Sequence, residues 1–261
     1  MNSVKTIFNV AMLVSFLFMT NCGKKAEQNG TPVVPNSNKE EVPQNKRFPK
    51  PNLGNAEDFV ILAYSSINSN SKSLVDGKVG LKPGTRDQIC INPNEVLGGA
   101  TDIFGSDDDT IPINFLSNAK VDMVLAYKGL LGLKADDDKI GINLNFSENK
   151  FLKPGCYTWN SDLGISNNFT INGSSEDIWI FKIKGHFHLE KGAKLFLKGG
   201  AMAKNIFWQV AGGAILDSES EMVGTIIAQQ SVEMMSHSKL IGRAFAKNGF
   251  INLDQATIIK P

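Results

Sequence analysis

Few residues of this chain have the type and spacing for chemistry. His186 and His188 alternate in the stretch GHFHLE, so an extended strand sends both imidazoles to one side, as a shared metal would require. No third ligand stands nearby, and the pair reads as solvent-facing or structural, with no metal expected. The acidic runs Asp107–Asp109 and Asp136–Asp138 lack the Asp-x-Asp-x-Asp-Gly spacing of a calcium loop and read as solvated loop charge. Trp179, Phe181, Phe207 and Trp208 could form a carbohydrate platform, but packing in a core or at its edge is the simpler use of such rings. No nucleophile–base or acid–base pair can be placed, so no catalytic residue and no cofactor are expected, and the chain does not read as an enzyme. Lys plus Arg number 27 against 26 Asp plus Glu, a net charge of +1 that gives no electrostatic reason for a nucleic-acid partner.

The three cysteines are more telling. Cys22 follows a lysine at position 5 and an apolar run from Ile7 to Met19, the proportions of a secretory signal. Cys22 sits where a bacterial lipoprotein signal places its acylated residue, although Asn21 stands where Gly, Ala or Ser is usual. Residues 1–22 are therefore expected to be a lipoprotein-type signal, with Cys22 lipidated. Residues 23–51 are rich in Pro, Asn, Lys, Gln and Glu and cannot bury a core; they read as a flexible polar tether. Signal, cysteine and tether together predict an exported, monomeric protein held by lipid in the cell envelope, at the outer membrane or cell surface. Cys90 and Cys156 remain, an even pair in an exported domain, and one disulfide between them is expected.

Elements able to position a functional surface begin at residue 52. Short apolar clusters at Phe59–Ala63 and Leu74–Leu81, separated by Gly, Asn and Ser, read as strands, and Pro83-Gly84 marks a turn. Between Asn114 and Leu133, Phe115, Ala119, Met123, Ala126, Leu130 and Leu133 recur at three- or four-residue steps, predicting one helix with a broad apolar face, capped by Asn114 or Ser117. Beyond it come only strand signals. AILDSESEMVGTIIAQQ and VEMMSHSKLIGRAFAKN superpose, with Leu216 on Met234, Gly224 on Gly242 and Ala228 on Ala246, and Leu253 opens a truncated third copy. A sandwich or barrel also uses many short strands. The near-constant offset instead suits one coil of a three-sided β-solenoid.

LKPGCYTW (152–159), NIFWQV (205–210) and GRAFAKNGFINLD (242–254) resemble, in order, motifs of the microbial ice-binding-like β-solenoid family, and the N-terminal strands and the helix are similar too. The resemblance spans about Asn52 to Ile259. It implies a mainly β fold for residues 52–261: a discontinuous right-handed solenoid of triangular section, with one long helix alongside and N-terminal strands completing coils begun much later. The activity it implies is adsorption to ice from one flat face.

A face of that kind stacks short, stiff side chains at the spacing of β-strands, and threonine, with its restricted χ1 and paired methyl and hydroxyl, suits it. Active relatives of the family often carry Thr-Gly-x-Thr after the apolar pair. Here the matching stretches are EKGAK, DSESE, SHSK and DQAT. The candidate face is thus Lys194, Ser218, Glu221, Ser236, Lys239 and Thr257, with charges at three positions where threonine is expected. Long charged side chains bind water in their own geometry and keep high rotamer entropy. The expectation is ice binding of weak to moderate strength, with adhesion to a cell-surface or matrix macromolecule as the alternative.

Overall fold

A computed structural model describes residues 48–70, 72–109, 114–136, 140–142 and 151–261. The signal, Cys22 and nearly all of the tether lie outside the described residues, as do Asp137 and Asp138. Residues 45–261 belong to one compact unit.

The chain winds as a triangular parallel β-solenoid whose coils visit three sheets in turn. Sheet A is a path of eight strands: Ile103–Phe104, Lys78–Leu81, Phe59–Ala63, Lys239–Ala246, Glu221–Ala228, Ile206–Val210, Trp179–Ile183 and Gly155–Trp159. Sheet B orders Ile89–Cys90, Ile67–Ser69, Ile251–Leu253, Val232–Met234, Ala214–Leu216, Phe187–Leu189 and Leu163–Ile165. Sheet C begins with Phe151–Leu152, Phe169–Asn172 and Leu195–Lys198. It continues through the first residues of Glu221–Ala228 and Lys239–Ala246, then Thr257–Ile259 and Leu74–Asp76.

The repeat read from the sequence is this stacking: Leu216 pairs with Met234 and Met234 with Leu253, while Gly224 meets Gly242 and Ala228 meets Ala246. The glycine column marks the corner from sheet C to sheet A. Gly224 has φ 104°, and a Cβ on Gly242 would lie 1.8 Å from the Gly224 carbonyl oxygen, so no side chain fits. The corner from B to C is built differently. Glu219, His237, Gln255 and Lys72 all hold φ between 48° and 63° there, beside Gly192 at 71°. The residue after each is small and buried: Ser220, Ser238, Ala256, Ser73 and Ala193.

Closure is discontinuous. Ile61 pairs with Ala244, Ile67 with Ile251 and Val75 with Ile258, so the chain's first coil stacks on its last. Arg243, wholly buried at this seam, donates from Nε and Nη2 to the Glu57 carbonyl at 3.3 and 3.0 Å. Burial pulls its guanidinium pKa down, against the opposing pull of Glu57 and Asp58. The cluster Leu74–Leu81, expected as a single strand, is two: Gly77, with φ 136°, separates Leu74–Asp76 on sheet C from Lys78–Leu81 on sheet A.

Aliphatic side chains and a row of stacked rings fill the lumen. Phe181 and Trp208 lie 3.9 Å apart at 12°, flanked by Tyr157 and Phe187. Trp179 and Trp208 are fully buried and their indoles donate to the Leu152 and Val223 carbonyls, so these rings pack the core and offer no sugar platform.

Helix α1, Phe115–Gly132, covers the outer side of sheet A. Leu116, Ala119, Met123, Ala126, Tyr127 and Leu130 meet Leu62, Phe207, Ile227 and Phe245. Asn114 holds the N-cap position without a side-chain cap bond, Ser117 lies inside the helix, and Leu133 is its C-cap. Lys120 on this helix donates to the Lys247 carbonyl at 2.5 Å and lies over the Tyr64 ring. Burial, and then the neighbouring Lys247 charge, bring its amine down to about 8.

No disulfide joins Cys90 to Cys156. Cys90 is exposed at one end of sheet B, whereas Cys156 is buried under the helix in the terminal strand of sheet A. Six strand spacings separate their coils, roughly 30 Å, and a disulfide needs Cα atoms within about 7 Å. An even count of cysteines carries no information on which coil each occupies.

Candidate functional surface

Three sides of a triangle offer three surfaces, and the structure treats them differently. Sheet A is covered by helix α1. Sheet C is broken midway: between Leu195–Lys198 and Glu221–Ala228 the ladder reduces to one bridge, Lys194 with Glu221. The following loop turns back there, and its short 3-10 turn Ala203–Asn205 lies against the strands Glu221–Ala228 and Lys239–Ala246. Val223, which points outward from sheet C, is only 5% exposed as a result. Among the described residues, sheet B alone is an uninterrupted, uncovered ladder of seven strands. At about 4.8 Å per strand its rows extend over roughly 29 Å.

Five of the sheet B strands show the pattern of an outward residue between two buried ones: Leu163–Ile165, Phe187–Leu189, Ala214–Leu216, Val232–Met234 and Ile251–Leu253. Their middle residues align into one column, Gly164, His188, Ile215, Glu233 and Asn252, which Asn68 and Cys90 extend. Asn68 donates from Nδ2 to Asn252 Oδ1 at 2.8 Å, pinning two amides of the column against each other. His188 Nε2 stands 3.6 Å from Asp217 Oδ2, and His186 Nδ1 accepts from the Gly213 N–H at 3.1 Å. Both imidazoles are thus engaged within the sheet, and among the described residues no group of three or more His, Cys, Asp or Glu could hold a metal ion.

The residues that the sequence nominated gather elsewhere. Lys194, Glu221, Lys239 and Thr257 form a single straight column along sheet C, each in register with the next. Lys194 and Glu221 are ion-paired at 2.5 Å. Ser218 and Ser236 lie one step away, at the corner between B and C, where Ser236 donates to Asp254. None of the six is on sheet B. Asn68, Ile215 and Asn252 are the residues that sequence reasoning passed over. The alternation in FINLD places Asn252 outward, but its partnership with Asn68 spans 184 residues and leaves no local signal.

Among the described residues the chain is thus a parallel β-solenoid with one side covered by a helix and one left as an open ladder. The chain belongs to the ice-binding-like family, whose profile matches residues 61–259. It is 32% identical to an ice-binding protein of Flavobacterium frigoris (strain PS1) over the full length of both chains. It is 33% identical to an ice-binding protein of a Colwellia species, over 80% of this chain and 83% of that one. Among solved structures, a glycosylated ice-binding protein from an Arctic yeast superposes with a TM-score of 0.77 at 27% identity, covering 83% of this chain and 96% of the other. An ice-binding protein from an Antarctic biological consortium gives 0.73 at 29% identity, with 83% and 94% coverage.

Proposed function

We propose that this protein adsorbs to ice through sheet B and is held in the cell envelope by a lipid on Cys22. The observation that carries the ice reading is the seven-strand ladder of sheet B, which neither the helix nor the loop over sheet C covers. Adsorption to a crystal needs a rigid, repeating, level surface, because water ordered on one rung must match water on the next. Short outward groups, held by buried neighbours on both sides, supply it at little entropic cost. Glu233 and His188 interrupt the column with longer, hydrated side chains, so adsorption is of weak to moderate strength. Family membership and the ice-binding names of similar proteins support the same reading.

Ice-recrystallisation inhibition and thermal hysteresis, measured on the chain from Gly23 onward, test it. Inhibition that weakens at least about tenfold on Ile215→Lys with Asn252→Lys is the expected result; a wild type that leaves ice growth unchanged would sink the reading. The alternating Lys194–Glu221–Lys239 column favours a second reading, adhesion of sheet C to a cell-surface or matrix macromolecule. That reading wins if the chain ignores ice yet binds such a partner and loses it in Lys239→Glu.

Anchoring rests on the order of the apolar run, Cys22 and the polar tether. Two acyl chains hold where one does not. Metabolic labelling with a fatty acid should mark the wild type and spare Cys22→Ala.

A further inference from the structure

We infer that the outer side of helix α1 is a docking surface for an anionic lipid bilayer, so that the protein lies helix-down on a membrane with sheets B and C turned away from it. The inference rests on the envelope location proposed above, but not on acylation. A helix that covers a sheet normally turns a polar, charged stripe to solvent. Here the outward stripe carries Val121, Leu125 and Leu131, exposed by 56%, 57% and 52%. Its one charged residue among the exposed positions is Lys128, and Lys134 follows just past the helix end. Asp122, at the edge of the stripe, is occupied within the protein: its Oδ2 accepts from the Asn55 backbone and side-chain amides at 2.7 and 2.6 Å. Apolar side chains flanked by Lys128 and Lys134, with Asp122 held within the protein and the acidic run from Asp136 lying beyond the helix end, are the composition of a helix that rests in a lipid headgroup layer.

The path of the chain points to the same occupant. Phe48 is buried in the cluster beneath this helix, and Pro49, Lys50, Pro51 and Asn52 line a groove with Leu125 and Gly129. The polypeptide therefore joins the solenoid beside the outward stripe, and the apolar run and Cys22 lie upstream of that point. Gly129 and Gly132 keep the stripe low, since an added Cβ would meet nothing within 4 Å in this chain. No internal packing calls for glycine at either place. An acyl anchor on Cys22 would hold the chain at the membrane through a long tether without fixing its orientation; contacts along the stripe would fix it. The consequence is orientation: with sheet A and its helix facing the membrane, the bare ladder of sheet B is presented to the medium.

The test uses the chain from Gly23 onward, which contains the whole compact unit and cannot be acylated at Cys22. It is cosedimented with vesicles of phosphatidylcholine, with and without phosphatidylglycerol. Binding should rise with phosphatidylglycerol, and V121S/L125S/L131S should lower the partition coefficient about tenfold while leaving the unfolding transition in place. K128E/K134E should remove most of the dependence on phosphatidylglycerol. Equal partition of the wild type and the triple variant, whose tethers are identical, would overturn the proposal. So would a triple variant that instead loses self-association in the absence of vesicles, which would assign the stripe to a second copy of the chain. Absence of fatty-acid label on Cys22, with vesicle binding intact, would remove the anchor and leave the docking surface standing.

Discussion

Sheets B and C are made by the same coils, a few residues apart, yet they are different surfaces. On sheet B the strands agree in length even where the coils do not, and Leu216, Met234 and Leu253 stack without a break. On sheet C the strand Leu195–Lys198 is followed by a loop that folds back, setting its turn Ala203–Asn205 against Glu221–Ala228 and Lys239–Ala246. Levelness is therefore a property of matched arm lengths as well as of strand spacing. The corners differ too. Leaving sheet C, the backbone of one coil crowds the next so closely that only glycine fits at 242. Leaving sheet B, the corner tolerates Glu219, His237 and Gln255 in a left-handed conformation, because their side chains turn outward while the next residue fills the interior.

The largest expected effect comes from breaking the tighter corner. Gly242→Ala sets a methyl against the Gly224 carbonyl and should cost on the order of 3 kcal/mol or more, with chemical denaturation as the measure. The covered side supplies the next. Lys120 has its amine lowered to about 8 from 10.5. A lowered pKa means that the unfolded chain binds the proton more tightly, so stability is reduced below pH 8 and recovered as pH rises from 8 to 10.5. The gain across that window should be on the order of 2 kcal/mol and should be missing in Lys120→Met, read from denaturation midpoints at each pH.

The comparison of faces is sharpened by paired substitutions. Lysines at Ile215 and Asn252 should raise the concentration needed for recrystallisation inhibition at least about tenfold, equivalent to ~1.4 kcal/mol. Glu221→Thr with Lys239→Thr, on sheet C, should leave it nearly unchanged; the reverse outcome would move the ice face to sheet C. The smallest effect belongs to the looser corner. His237→Gly relieves a left-handed residue at φ 62° and should stabilise by about 1 kcal/mol.

Much of this was legible in the residues. The pairs Leu216–Met234, Gly224–Gly242 and Ala228–Ala246 fixed the coil and its register, because parallel stacking repeats the same environment at a constant offset and selects the same residue types. The apolar periodicity from Phe115 to Leu130 determined the helix for a similar local reason. What the sequence could not decide is whatever depends on which coil lies next to which, and on what lies above it. Asn68 meets Asn252 because the first coil closes on the last. Cys90 and Cys156 are parted because they belong to opposite ends of the stack. Lys194, Glu221 and Lys239 do share one column, as their offsets imply, but only the folded loop shows that their sheet is interrupted. Periodicity is a local constraint repeated along the chain; coverage of a face is set by distant segments, whose packing leaves no period to read.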